Sequence, residues 1–315
     1  MEMERVDDKQ LIEDFLRDCK TRRMSLHTIE SYHSSLNLLY RFISERGYGF
    51  LNLDRRICTD YIDYLNEEGM SFSTMKNRFS TFNSFYDFLK YIGKVKDNIV
   101  KDVCKRYLTK YKENNVGRRK IISVEDMARF INMIPDIRDK AIVLLFAKTG
   151  IRRRELISID IDDINWEDMS ITLKPTNKRS NRVVYFDYET RGVLKRWIRK
   201  REMISDPGNR ALFTSYINRK RRLNRNGVGY IFVKWAVVAG LHDPCSDRVE
   251  DHFTPHCCRH WFTTFLSNGG EGMSREFIKE LRGDVNRDAM DFYNHIDHEK
   301  LRRSYLVHIP QLGII

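Results

Sequence analysis

Along the first hundred residues apolar positions recur every three or four places in blocks that end at glycine, the spacing of one buried helical face. Ser25 precedes Leu26, Ile29, Tyr32, Leu36, Leu39 and Ile43, and the block stops at Gly47; serine caps a helix start and glycine a helix end. Asp54 opens a second block through Ile57, Tyr61, Ile62 and Leu65, closed by Gly69. Ser73 opens a third, with Met75, Phe79, Phe82, Phe85, Leu89 and Ile92, ended by Gly93. Shorter patterns from Leu11 to Arg17 and from Val100 to Tyr111 flank these three, so residues 1–110 are predicted to form a helical domain. The phenylalanines of the third block could stack on bases, but aromatics at helical spacing are far more often core, and they are assigned to the core.

Periodicity lapses over 111–120, YKENNVGRRK, which reads as a basic linker before a second domain over 121–315. Ser123 with Asp126 marks a capped helix start, and a helix runs from Ile137 to Lys148 before Gly150. Alternation then occurs for the first time: MSITLK (169–174) and RVVYF (182–186) flank a polar turn and predict an antiparallel pair. Helical patterns return at Glu189–Met203, Val228–Ala239, His256–Ser267, Arg275–Leu281 and Asp288–Tyr293. The fold class is therefore mainly α, with a mixed, mostly helical second domain carrying one small antiparallel sheet.

Charge is unevenly placed. The 315 residues carry a formal +12, yet residues 1–100 hold 15 basic and 16 acidic side chains, residues 101–120 hold 8 and 2, and residues 121–315 hold 33 and 26. A basic connector and a basic second half favour a polyanion partner. Residues 218–225, NRKRRLNR, add another local concentration. The longest apolar run, Ala141 to Ala147, is far short of the roughly twenty residues a bilayer span needs, so no membrane contact is expected. An acidic start, MEMERVDDKQ, and six irregularly spaced cysteines point to a cytoplasmic protein with reduced thiols.

Four segments carry candidate chemistry. Thr149-Gly150-Ile151-Arg152-Arg153-Arg154-Glu155 leaves Arg152 at a turn between helices. The hairpin tip carries Lys174, Lys178 and Arg179, where a lysine could reach a ligand placed by firmer elements. In Thr254-Pro255-His256-Cys257-Cys258-Arg259-His260, Thr254 can cap and Pro255 suits a first helical position, so His256 and Arg259 share one face beside free backbone N–H groups. Leu281-Arg282-Gly283-Asp284 is followed nine residues after Asp284 by Tyr293. Taken singly, each has a bland reading: a solvated basic turn, ordinary hairpin lysines, a satisfied His and Arg, a structural Tyr.

In this order and spacing the four segments resemble the boxes of the tyrosine recombinase/phage-integrase family, of the Xer type. The first box matches Thr149, Gly150, Ile151, Arg152 and Glu155, the H-x-x-R box matches His256 and Arg259 with Thr254-Pro255 before and His260 after, and the last matches Gly283, Asp284 and Tyr293. The Leu-Arg-Gly-Asp form is similar to that of archaeal integrases. The resemblance implies a SAM-like core-binding domain in the first half and a catalytic domain in the second, clamped on double-stranded DNA with the connector along its backbone. It further implies cleavage through a 3′-phosphotyrosine by Tyr293, with Arg152, Arg259 and His256 at the phosphate and a hairpin lysine, Lys178 or else Lys174, as general acid. No cofactor, metal or ATP is implied, and a homotetramer on paired sites is. Asp284 stands where the family usually has His or Trp; a carboxylate cannot donate as a cation, so it would orient a neighbour or act through water.

Three other readings compete. A type IB topoisomerase-like relaxing enzyme or a DNA-binding relic would keep the fold. A zinc module is suggested by His242, Cys245, His252, His256, Cys257, Cys258 and His260, but the spacing fits no standard finger. The apolar tail LVHIPQLGII needs a covering surface, either its own domain or, as the resemblance implies, a neighbouring protomer.

Overall fold

A computed structural model describes residues 8–109, 120–175, 182–217, 221–246, 248–268, 272–284 and 296–314. They group into two compact units, one within residues 1–115 and one within 116–315.

The first unit is helical: α1 Asp8–Thr21, α2 Leu26–Ser44, α3 Arg55–Glu67, α4 Phe72–Tyr91 and α5 Ile99–Tyr107. Ser25 and Asp54 cap as expected, each side chain accepting from the backbone N–H three residues on. The cap of α4 is Ser71 rather than Ser73, because the Ser71 hydroxyl accepts from Thr74 N–H and the helix starts two residues earlier. Helix α1 is longer than its apolar pattern, since Asp8 is held by the Phe50 N–H at 3.0 Å. Helix α5 is shorter, bounded by Asn98 and Leu108. The phenylalanine stripe is core: Phe79, Phe82 and Phe85 are buried, and Phe85 meets Phe15 and Phe50 edge-on at 5.4 and 4.9 Å.

The second unit is built around a buried helix. After α6 Val124–Asn132, helix α7 Ile137–Thr149 is buried along nearly its whole length and packs against α9 Tyr188–Ile204 and α11 Pro255–Asn268. Its apolar run is short and buried all round, the pattern of a central helix. The short α8 Arg153–Ser158 follows, then a three-stranded antiparallel sheet in the order β1 Ile164–Asn165, β2 Ser170–Leu173 and β3 Arg182–Tyr185. Ile171 pairs with Val184 and Leu173 with Arg182. The sequence pattern anticipated β2 and β3 but not β1, whose two residues are too few to show alternation. Among the described residues, helices α10 Arg225–Val238, α12 Arg275–Arg282 and α13 His298–His308 complete the unit.

The tail packs on its own unit. Leu312 and Ile314 are buried in the main core, and the Glu189 carboxylate accepts from the N–H groups of both at 3.0 Å. Lys148, fully buried, donates to Asp187 at 2.5 Å, Glu189 at 2.6 Å and the Pro310 carbonyl at 2.6 Å, so one ammonium ties α7, α9 and the tail together. Tyr305 of α13 donates to the Lys148 carbonyl. Among the described residues no helix is long and apolar enough to cross a membrane.

Candidate active site

The site is built where two helices end in the left-handed region. Helix α7 stops at Gly150, φ +59°, and a Cβ there would lie 2.5 Å from the Phe262 ring, so glycine is needed for both backbone and space. That stop turns the chain so that Arg152, in extended conformation, begins α8 and Glu155 reaches back to accept the Arg152 N–H at 2.6 Å. Helix α12 stops the same way at Gly283, φ +59°, where a Cβ would lie 2.7 Å from Arg182 Nη1.

Between these two corners the first and third predicted segments meet the fourth. Arg259, on the first turns of α11 and only 3% exposed, donates from Nη1 to the Gly150 carbonyl at 2.7 Å and from Nη2 to the Arg282 carbonyl at 2.8 Å and Asp284 Oδ1 at 3.0 Å. Arg152 donates from Nη1 to the same Arg282 carbonyl at 3.2 Å, and its Nη2 lies 3.6 Å from Asp284 Oδ1. Arg282 Nη1 lies 3.3 Å from Asp284 Oδ2. Asp284 therefore faces three guanidiniums, and as a carboxylate it cannot serve as a cationic donor. Burial, and then the nearby Arg152 and Arg282 charges, pull the Arg259 guanidinium down to about 10, with Asp284 opposing, so it stays cationic near neutral pH. Burial likewise lowers Arg152.

Arg182, not singled out from sequence, supports the corner through Glu155. Arg182 opens β3 as a buried charge, donates from Nε to the Leu281 carbonyl at 3.1 Å, and grips Glu155 through two bonds of 2.6 and 3.1 Å. Burial pushes the Glu155 carboxyl up, but the Arg182 hydrogen bonds and charge outweigh it and hold the group below its usual range. The signal was in the alternation: Arg182 shares a strand face with Val184 and Phe186, which places a charge on the core side and demands a counter-ion.

His256 lies on the exposed side of α11, its ring 4.7 Å from that of His260. It lines a cleft of about 620 Å³ together with Arg152, Arg153, Arg154, Arg225 and Arg259. So dense a set of cations fits an anionic ligand. The Thr254 carbonyl accepts the Cys257 N–H at the helix start, and the Thr254 hydroxyl lies 3.7 Å from Cys257 Sγ. Lys174 is drawn away to Asp160 and Asp163. Lys178 and Tyr293, like Arg179, the predicted helix at 288–293 and most of the linker, lie outside the described residues.

Two of the residues weighed for zinc are engaged elsewhere: His252 bonds the Ser246 carbonyl at 2.7 Å and Cys257 Sγ donates to the His252 carbonyl. Among the described residues no three His, Cys, Asp or Glu side chains converge on a metal position.

Comparison with known proteins places the chain in a family. The profile of the "Phage integrase family" matches residues 120–300, and that of the "Phage integrase, N-terminal SAM-like domain" matches 12–93. The chain is 27% identical over 190 residues to tyrosine recombinase XerC of Vibrio cholerae, an alignment covering 59% of this chain and 57% of that protein. It is 31% identical over 170 residues to XerC of Corynebacterium glutamicum, covering 54% and 50% respectively. The alignments thus span just over half the length of these relatives or less. Among solved structures, the Tn1549 transposon integrase in complex with transposon right end DNA matches with a TM-score of 0.67 at 17% identity over 93% of this chain and 97% of that one. A lambda integrase dimer bound to a COC′ core site matches with a TM-score of 0.67 at 16% identity over 92% and 98%. XerH bound to its difH substrate matches with a TM-score of 0.63 at 19% identity over 95% and 84%. These structures share the fold.

Proposed function

The chain belongs to the phage integrase family, and on that premise we propose that it is a cytoplasmic site-specific DNA recombinase, cleaving and rejoining strands through a 3′-phosphotyrosine. The first unit acts as the core-binding domain and the second as the catalytic domain, assembled as a tetramer on paired double-stranded sites. The observation that carries the proposal is the convergence of Arg152 Nη2 and Arg259 Nη2 on one oxyanion, Asp284 Oδ1, at 3.6 and 3.0 Å. Two guanidiniums so directed can take the nonbridging oxygens of a phosphodiester and stabilise the added charge of a pentavalent intermediate.

In this reading the Tyr293 phenol gives its proton to solvent or to His256 and its oxygen attacks phosphorus. The bond to the 5′ oxygen breaks, and Lys178 gives that oxygen its proton. His256 exchanges a proton with the same centre from the mouth of the cleft. The phosphotyrosine conserves the ester energy, so attack by another strand's 5′-OH reverses the step without ATP. The charge a metal would bring is supplied by Arg152 and Arg259. Glu155 and Arg182 act as positioning residues.

The test is a covalent adduct. Wild-type protein incubated with pooled nicked DNA should give an SDS-resistant complex, and sequencing the captured DNA would map the site. Loss of the adduct in Tyr293→Phe is expected; an undiminished adduct would remove Tyr293 from the mechanism. Relaxation of supercoiled DNA without strand joining between sites would instead mark a type IB topoisomerase-like enzyme.

A further inference from the structure

The charges at the Gly283 corner are not equivalently paired. Arg182 and Glu155 satisfy one another through two bonds and are both buried. Asp284 is shared: Oδ1 faces Nη2 of Arg259 and of Arg152, while Oδ2 faces Nη1 of Arg282 at 3.3 Å. Its side chain is one-third exposed, whereas that of Arg259 is 3% exposed.

The two arginines also have anchors independent of Asp284. Arg259 Nη1 is fixed on the Gly150 carbonyl, and both residues donate to the Arg282 carbonyl. Removing the carboxylate from between them leaves those backbone bonds in place. The Asp284 Oδ1 contact is thus the one an incoming anion can replace without dismantling the corner. A small rotation of the Asp284 side chain can vacate it while keeping Oδ2 near Arg282. A buried guanidinium flanked by two others needs a counter-anion whether or not DNA is bound, which explains a carboxylate held here at rest. The lowering of Arg259 by burial and then by Arg152 and Arg282 reflects the same crowding.

We propose that Asp284 is the resting counter-ion of the arginine pair: in the DNA-free protein its Oδ1 occupies the seat of the scissile phosphate between Arg152 and Arg259, and on phosphate entry the carboxylate withdraws onto Arg282. That the displacing phosphate is a scissile one rests on the recombinase reading; the displacement by an anion does not. Arg282 thereby acquires a role as the acceptor of the displaced carboxylate, and affinity for the phosphate is set by competition rather than by the arginines alone.

A double-mutant cycle on the full chain tests this, with binding of inorganic phosphate measured by calorimetry at low ionic strength. Asp284→Asn removes the competitor and should bind phosphate about tenfold more tightly, the scale of one charge-assisted hydrogen bond. Arg282→Met leaves the carboxylate nowhere to go and should bind severalfold more weakly. In the double variant Arg282→Met should have distinctly less effect than in wild type, because the carboxylate it serves is gone. A merely structural Asp284 would lose affinity on substitution. Equal or weaker phosphate binding by Asp284→Asn, or strictly additive effects, would overturn the proposal. Should Asp284→Asn fail to fold, Asp284→Ser carries the same expected sign. Failure of the recombinase reading would register separately, as no SDS-resistant adduct from wild type, and would leave the phosphate cycle unaffected.

Discussion

Replacing Glu155 by Gln changes one atom at the point where the hairpin, α8 and the α12 corner are joined. The carboxylate is 5% exposed, grips Arg182 at 2.6 and 3.1 Å and accepts the Arg152 N–H at 2.6 Å. The amide keeps an oxygen for one partner but leaves the buried Arg182 guanidinium without its counter-charge. Removing one member of a buried pair costs about 3–5 kcal/mol, and the retained oxygen places this case at the lower end, about 3 kcal/mol. For a domain of this size that lowers the unfolding midpoint by about 6–12 °C.

The pH dependence follows from the lowered Glu155 carboxyl. A group whose folded-state pKa lies below its unfolded value stabilises fully above the unfolded value, about 4.3 for Glu, and loses that stabilisation as pH falls through the folded value. Calorimetric scans of wild type and Glu155→Gln should show the full gap at pH 7, and the gap should close below about pH 4 as wild type loses the charge the variant never had. A gap under about 1 kcal/mol at pH 7, or one that widens on acidification, would refute the assignment of this pair as a supporting bond.

Lys148→Met should release the tail, because the ammonium holds the Pro310 carbonyl and the carboxylates of Asp187 and Glu189; limited carboxypeptidase digestion should then remove residues 309–315 much faster, with a stability loss of about 3–5 kcal/mol. Arg259→Lys cannot reproduce the forked contacts to Gly150, Arg282 and Asp284, and the rate of adduct formation should fall by about 10²–10³ while DNA retention in a filter assay changes far less. Burial pushes the Cys58 thiol up to about 12 and Cys258 well above its ordinary value, while Cys245 is exposed. Ellman's reagent at pH 8 should therefore modify Cys245 in native protein, and Cys58 and Cys258 only after denaturation.

The helices were legible because their signals are local. Apolar spacing, a capping Ser25 or Asp54 and a terminating Gly150 or Gly283 all act within a turn or two of the backbone they specify. Ser71 displaced Ser73 because two serines two residues apart offer the same hydroxyl, and only the Thr74 bond decides between them. Strand β1 was missed because its two residues become a strand only through pairing with Ile171 and Ser170.

The sequence by itself determined the family and named the candidate site, since the order and spacing of Arg152, His256, Arg259 and Gly283-Asp284 match the family boxes without coordinates. Only the tertiary structure decided what those residues do to one another. Asp284 became the shared anion of three guanidiniums, Arg182 the counter-ion of Glu155, and the tail a strap on Lys148 and Glu189; apart from Arg282 with Asp284, these contacts join residues from 25 to more than 160 positions apart. Burial makes those pairings decisive: charges removed from water must find partners, and which partners are within reach is fixed by helix packing that no local pattern encodes.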